Sequence, residues 1–416
     1  MAVDDAHRAS ERVARESYGR LIALLAARTR DVAGAEDALG DAFAAALRTW
    51  PVDGVPENPD AWLLTAARRR QTDAIRKRQV RTAAEDQVKL IVNEIEAMAD
   101  QRDAIPDRRL ALMFACAHPA IDPGIRTPLI LQTILGLTAE EIATAFLVPP
   151  KTMGQRLARA KTRIRDAGIP FQVPDQDELS DRLAAVLDAI YAAYTKGWNE
   201  ASDDAGSELA DEAIWLGRLI VSLLPDQPEA KGLLALMLYT TARRAARHEA
   251  GAFVPLERQD TNLWDRRLIA LAEDLLHEAN AAGPSGRYQI EAAIQSAHVA
   301  RRLTGVANWA AVVALYDHLL ALLDSPVVIL NRAVARAELD GPHAALAELA
   351  PLEADRRMLA YQPYWAARGH LSSLAGDTAS AAQALTVSIG LTTDEAVKRY
   401  LLGRLASLHG DPRMQE

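Results

Sequence analysis

The sequence predicts an all-α protein, with two small helical modules in front and an α-solenoid of tetratricopeptide type behind. Three observations carry this prediction. Half of the 416 residues are hydrophobic, many of them Ala and Leu, while only 5 % are aromatic. Runs in which β-branched residues alternate with polar ones, the mark of a half-buried strand, are scarce. The last segments also repeat at a period of about 35 residues, close to the length of a helical-hairpin repeat.

Charge divides the chain. The net charge is −9, but residues 1–170 hold 25 Lys and Arg against 23 Asp and Glu, whereas residues 171–416 hold 22 against 33. A near-neutral front with local basic patches and an acidic back is itself a sign of separate domains. Cys116 is the single cysteine, so the chain has neither a disulfide framework nor a cysteine-based zinc site. On the apolar stretch LALMFACAH it reads as a small core residue. No signal peptide and no apolar run of membrane-spanning length appear, so the expectation is a cytoplasmic protein without membrane contact.

From the front, Glu11 to Thr29 reads as a helix with Val13, Leu21, Ile22, Leu24 and Leu25 on its apolar side. Asp31 suits the N-cap of a second helix, since its carboxylate can accept from the free N–H groups of the first turn. Ala35, Ala38, Leu39, Ala42, Phe43, Ala46 and Leu47 line one face of that helix. Glu36, Asp37 and Asp41 form an acidic set that reads equally as a solvated face or a partner-binding one. After the loop PVDGVPENPDA, a third helix starts near Pro59 or Asp60. It turns Trp62, Leu63, Ala66, Ala67 and Ile75 inward. Its basic block is Arg68, Arg69, Arg70, Arg76, Lys77, Arg78 and Arg81, with Asp73 the only acid. Residues 84–107 are acidic and read as a linker, with one helical turn around Val88 to Met98. Arg108 to His118 and Gly124 to Leu135 are further helices, the first stopped by Pro119.

Leu137 to Arg165, LTAEEIATAFLVPPKTMGQRLARAKTRIR, has the layout of a helix-turn-helix. A short helix over Ala139 to Phe146 turns Ile142 and Ala143 inward. Pro149 then breaks the helix, and Pro150 suits the first turn of the next one. Met153, Leu157, Ala160 and Ile164 recur at i, i+4, i+7 and i+11, the inner stripe of that helix. Six Lys or Arg and no acid fall between Pro149 and Arg165. Amide, hydroxyl and cationic side chains along one helix suit a major groove: some read base edges, and others neutralise phosphates.

The order AEDALGDAF, WLLTAARRRQTDAIRKR, acidic linker and helix-turn-helix resembles a bacterial RNA polymerase sigma factor of the sigma-70 family. More narrowly, it is similar to the extracytoplasmic-function group, in the subgroup with a tetratricopeptide-like helical extension. The resemblance implies region 2 over residues 1–83, a linker over 84–107, region 4 over 108–170 and a helical regulatory domain over 171–416. Core polymerase would be bound through its β′ clamp helices, by Glu36, Asp37 and Asp41, and through its β flap. The −10 element would be met by Asn58, Arg68, Arg69, Arg70, Arg76 and Lys77. The −35 element would be met by Lys151, Thr152, Gln155, Arg156, Arg159, Lys161 and Arg163. An intramolecular contact between the extension and the sigma regions is a further expectation. The sequence departs from the pattern at Leu147 and Pro149, where the turn usually carries Gly and a Ser cap, and at Arg70, where many members have Asn. Past region 4, AKTRIRDAGIPFQVP and several later segments also match this subgroup.

In the acidic back half, Trp365, Gly369 and Ala381 fall at the Trp, Gly and small-residue positions of a tetratricopeptide unit, and Leu385 at its large one. Gly341 and Ala345 take comparable places in the unit before. Trp264, Tyr288, Gln289 and His298 read mainly as core or interface, and secondarily as a pocket lining. Arg243, Arg244, Arg247 and His248 form a positive island, either a docking point for the linker or a solvated helix face. The alternative function is a one-component helix-turn-helix regulator with a helical ligand-binding domain. No phosphate loop, metal motif or nucleophile signature indicates an enzyme, a catalytic residue, a metal or a cofactor.

Overall fold

The computed structural model describes residues 2–79, 105–146, 148–174, 176–199, 204–249 and 251–408. The fold is all-α: the only strands among the described residues are two of two residues each, His248–Glu249 and Ala252–Phe253, paired antiparallel. Among these residues no helix is long and apolar enough to cross a membrane. The chain divides into two compact units, residues 1–193 and 194–416.

The first unit opens with α1 (Ala2–Thr29), α2 (Val32–Asp53) and α3 (Pro59–Gln79). Asp31 caps α2 as its position predicts, accepting from the Gly34 N–H at 3.0 Å. The helix runs past Trp50 and takes Pro51 into its last turn, ending at Gly54 with φ 88°. Val13, Leu21, Ile22 and Leu25 of α1 are buried together with Val32, Ala35, Leu39 and Ala42 of α2 and Leu63 and Ala67 of α3. The Trp50 and Trp62 rings meet edge to face, their centroids 5.5 Å apart. Arg20 adds an ion pair to Asp60 at the start of α3, at 3.0 Å.

Next come α4 (Ile105–Cys116), α5 (Pro123–Leu135), α6 (Ala139–Ala145) and α7 (Pro150–Asp166). Helix α4 begins at Ile105, so the last three positions read as linker are helical. Residues 84–104 of that linker, including Val88 to Met98, lie outside the described residues, as do Arg81 and Leu147. Helix α6 starts with a reciprocal cap: Thr138 N–H donates to Glu141 Oε2 at 2.8 Å, and Glu141 N–H to Thr138 Oγ1 at 3.2 Å. In α7 the predicted stripe Met153, Leu157, Ala160 and Ile164 is buried. Helix α8 (Gln176–Asn199) follows, and the boundary between the units falls inside it.

These two groups of helices pack on one another. Helix α1 lies against α4 and α5, and α2 lies against α7. One close approach is at Gly19, which is buried against the backbone of Ile134.

The second unit contains α9 (Asp204–Leu223), α10 (Pro228–Thr241), α11 (Arg266–Asn280), α12 (Arg287–Val299), the single turn α13 (Arg301–Thr304) and α14 (Trp309–Leu322). It continues with α15 (Pro326–Asp340), α16 (Pro342–Leu349), the turn α17 (Arg356–Leu359), α18 (Gln362–Leu374), α19 (Thr378–Leu391) and α20 (Glu395–Leu408). Most neighbours in sequence pack as neighbours in space, α14 on α15, α15 on α16 and α18 on α19. Small residues set the spacing: a Cβ on Gly369 would come within 2.9 Å of Leu385 Cγ. Glu229 ties α10 to α12, its carboxylate accepting from the N–H groups of Tyr288 and Gln289 at 3.0 and 3.1 Å.

Candidate nucleic-acid interface

Helix α7 presents one cationic face. With the inner stripe buried, Lys151, Thr152, Gln155, Arg159 and Arg163 are exposed on the other side. Arg156 is half-buried and pairs with Asp122 at 3.6 Å. Lys161 departs from the set. Its side chain is 9 % exposed, and its Nζ lies 2.5 Å from Oε2 of Glu36 on α2, whose side chain is 17 % exposed. A residue read as DNA-facing and one read as polymerase-facing are therefore bonded to each other. In this arrangement Lys161 is withdrawn from the exposed cationic face, and Glu36 from the acidic set.

Helical geometry explains the pairing. Glu36 lies one turn after Val32 and three residues before Leu39, both buried. Lys161 stands in the same relation to Leu157 and Ile164. Each charge thus sits at the edge of an apolar stripe, about 100° around its helix from its sequence neighbour. Asp37 and Asp41, a turn apart, are exposed.

The surroundings of the pair are nonpolar enough to act on its chemistry. Burial pushes the Glu36 carboxyl above the usual carboxylate range, against the opposing pull of Lys161. Glu36 Oε1 has no hydrogen-bond partner among the described residues. Burial and the negative charge of Glu36 raise the Tyr18 phenol well above its ordinary value. Burial likewise pushes the Cys116 thiol up to about 12, and its Sγ lies 3.5 Å from Thr133 Oγ1. Cys116 is fully buried in the core, as its apolar segment predicts.

On the other candidate surface, Asn58 is exposed and caps α3, its Oδ1 accepting from the Ala61 N–H at 3.1 Å. Arg69 and Arg70 are exposed and Arg68 is half-buried. The backbone of α3 runs through Arg76 and Lys77, whose side chains lie outside the described residues.

Residues 13–81, which take in most of α1 and all of α2 and α3, match sigma-70 region 2. The chain is also 37 % identical over 385 residues to an uncharacterized protein of Rhizobium meliloti (strain 1021), covering 91 % of this chain and 90 % of the relative. The front of the chain is a sigma-70 region 2, and this supports a sigma-70 family factor. Sigma-70 proteins are transcription initiation factors rather than enzymes, and region 2 brings with it binding to core RNA polymerase and promoter DNA. The match does not favour a one-component regulator, which has no use for region 2. Residues 182–280 match a family of unknown function (DUF6596). No solved structure matches the chain.

In the second unit, Trp264, Tyr288 and Gln289 are core residues, 1–3 % exposed. His298 lines a small cavity with Leu256, Glu257, Arg301, Ala307 and Trp309. The positive island is bonded within its own unit rather than forming a solvated face. Arg243 donates to Gln295 Oε1 at 2.6 Å, and Arg244 pairs with Asp211 at 3.0 Å. Arg247 donates to the Trp198 carbonyl and lies over the Trp198 ring.

Proposed function

We propose that this sigma-70 protein is a promoter-specificity subunit of the extracytoplasmic-function type, reading two promoter elements. Region 2 would engage the β′ clamp helices through Asp37 and Asp41, with Glu36 joining them once freed from Lys161. Arg68, Arg69, Arg70, Arg76 and Lys77 would hold the −10 DNA around Asn58. Helix α7 would enter the major groove at −35 as the second helix of a helix-turn-helix, and the same module would meet the β flap. The residues for that are Lys151, Thr152, Gln155, Arg156, Arg159 and Arg163. Residues 171–416 act as a tetratricopeptide-like control module that contacts the sigma regions in part of the cycle. The observation that carries this reading is the exposed face of α7, without an acid from Lys151 to Arg165, on a chain that also holds region 2.

Transcription with purified core polymerase over a library of genomic fragments tests it. The expected outcome is initiation at a restricted set of fragments sharing two spaced elements. Absence of both core binding and fragment-specific initiation would overturn it.

A further inference from the structure

The second unit is rich in acids, yet two neighbouring half-buried arginines in it have no carboxylate to pair with. Residues 171–416 hold 33 Asp and Glu against 22 Lys and Arg. Other half-buried arginines of the unit find a counter-charge: Arg332 bridges Asp317 and Glu348 at 2.6 Å each, and Arg287 pairs with Glu291 at 2.8 Å. Arg243, just after α10, donates instead to the Gln295 amide oxygen at 2.6 Å. Arg301, which opens α13, donates to the backbone carbonyls of Leu256 and Glu257 at 2.8 and 2.9 Å and lies over the Trp264 ring. Among the described residues neither guanidinium lies within ion-pairing distance of an acid. Glu257, on the turn Leu256–Arg258, is the acid whose charge reaches Arg243, and it is exposed.

The two cations converge on His298 of α12, whose imidazole feels the charges of both. His298, Arg301 and Trp309 line, with Leu256, Glu257 and Ala307, a cavity of about 200 Å³ counting its open mouth. Pockets for drug-sized ligands are larger, ~300–1,000 Å³. Two buried donors of the cluster, Nε of Arg243 and Nε1 of Trp264, have no hydrogen-bond partner among the described residues. Cations without a counter-charge and donors without acceptors, beside a small open cavity, are complementary to a compact, acceptor-rich anion. Arginine suits such a place, because its weakly hydrated fork grips two oxygens of one group and keeps its charge when half-buried.

We propose that the second unit binds a small oxyanion, a phosphate or carboxylate group, at Arg301 and His298, with Arg243 supplying the second permanent charge. This inference does not depend on the promoter function proposed above. A polyanion such as an acidic peptide would need a row of exposed cations, whereas here they are half-buried and the exposed charge at the cavity is that of Glu257. Binding would also reverse the field on His298. Burial and the two arginines hold the free imidazole down to about 4, and an anion beside it favours the protonated ring. Binding therefore takes up a proton, and affinity rises as pH falls below about 7.

The test is isothermal titration calorimetry of the full chain with sulfate, inorganic phosphate and oxalate, in chloride at constant ionic strength. Sulfate and phosphate stand for a phosphate group and oxalate for a carboxylate, so the arms tell the two sources apart. The expected result is saturable one-site binding of at least one of them, with a dissociation constant of about 1 mM or tighter. Arg243→Gln and Arg301→Gln should each weaken it by about tenfold or more. Arg336→Gln removes a cation paired elsewhere, with Asp340 and Glu348, and should leave binding unchanged. Between about pH 7.5 and pH 5.5 the wild type should tighten by roughly tenfold, and His298→Gln should lose that dependence. Sulfate and oxalate stay ionised over this range, so the proton is the protein's. Should Arg243→Gln lose its helical circular dichroism, Arg301→Gln carries the comparison. Absence of saturable binding for all three anions overturns the site, as does an equal loss in Arg336→Gln or a pH dependence that survives in His298→Gln. Tighter binding of a decaglutamate peptide than of any of the three also overturns it, in favour of an acidic protein segment.

Discussion

Gly19 and Ile134 touch through their backbones: a Cβ on Gly19 would stand 1.9 Å from the Ile134 carbonyl oxygen. The obstacle is main chain, which cannot rotate aside as a flexible side chain would. Gly19→Ala should therefore cost about 1–3 kcal/mol or more from forced displacement of α1 against α5. That loss outweighs the ~1 kcal/mol by which Ala is the better helix former. Gly40, exposed in α2 with nothing near its missing Cβ, is the control. There Gly40→Ala should stabilise by about 0.5–1 kcal/mol. Urea unfolding of the two variants measures both, and equal effects of the same sign would refute the argument.

Asp37 and Asp41 are exposed on α2 with their carboxylates away from the core. Reversing both charges leaves the packing untouched, so Asp37→Arg with Asp41→Arg should change stability by no more than about 0.5 kcal/mol. Core-polymerase binding should fall below detection in a pull-down. Unchanged co-purification would count against the role proposed for this helix.

The sequence made the helices legible wherever a single stripe decided them. Met153, Leu157, Ala160 and Ile164 define α7 by spacing alone, and Asp31 marks the start of α2 by its side-chain chemistry. It was less informative about single charges at the border of a stripe. Charge alone groups Lys161 and Glu36 with their exposed neighbours, although each also stands at i+4 and i−3 from buried apolar residues. That spacing was the available signal. What spacing within one helix cannot show is which other helix supplies the counter-charge, because the pair joins residues 125 positions apart. Asn58 carries the complementary lesson: its position fits both an N-cap and a base contact, and the cap uses only its Oδ1. Arg243, Arg244 and Arg247 looked like a surface island because their partners, among them Gln295 and Asp211, are distant in sequence.

Lys151 and Arg159 lie on the exposed face of α7. If each neutralises a phosphate, Lys151→Ala and Arg159→Ala should each reduce the slope of log K against log salt by about 1. The loss should be similar across related −35 sequences, whereas Gln155→Ala should change the ranking among them. Fluorescence anisotropy on duplexes at several salt concentrations reads both effects. A salt slope unaltered in both cation variants would exclude them from the backbone contact.

His298 is half-buried beside Trp309, with ring centroids 5.5 Å apart. Burial, together with the charges of Arg243 and Arg301, pushes its imidazole down to about 4 from 6.5. A group with a depressed folded pKa is neutral in the folded chain where the unfolded chain would be protonated. Its contribution is therefore fully present above about pH 6.5 and is lost as pH falls towards 4. The expected loss approaches 1.4 kcal/mol per pH unit at most within that window. His298→Gln should show a smaller drop in urea-unfolding stability between about pH 7 and pH 5 than wild type. Equal drops would mean that His298 is not titrating in the buried state.

Truncation distinguishes the roles open to residues 171–416, and the position of the cut decides what it tests. Leu179, Leu183, Val186 and Ile190 of α8 are buried, and Thr127 Oγ1 of α5 donates to the Ala185 carbonyl at 3.4 Å. A chain ending at Pro174 lacks this helix and uncovers part of the first unit's own core, so its behaviour mixes regulation with damage. A chain ending at Asn199 keeps α8 whole. The shorter chain should unfold at lower urea concentration than the longer one, while the longer retains core-polymerase binding. With folding thus preserved, transcription above the full-length level would make the C-terminal unit inhibitory, and transcription below it would make the unit an activating part. Transcription equal to the full chain would refute a regulatory role for residues beyond Asn199.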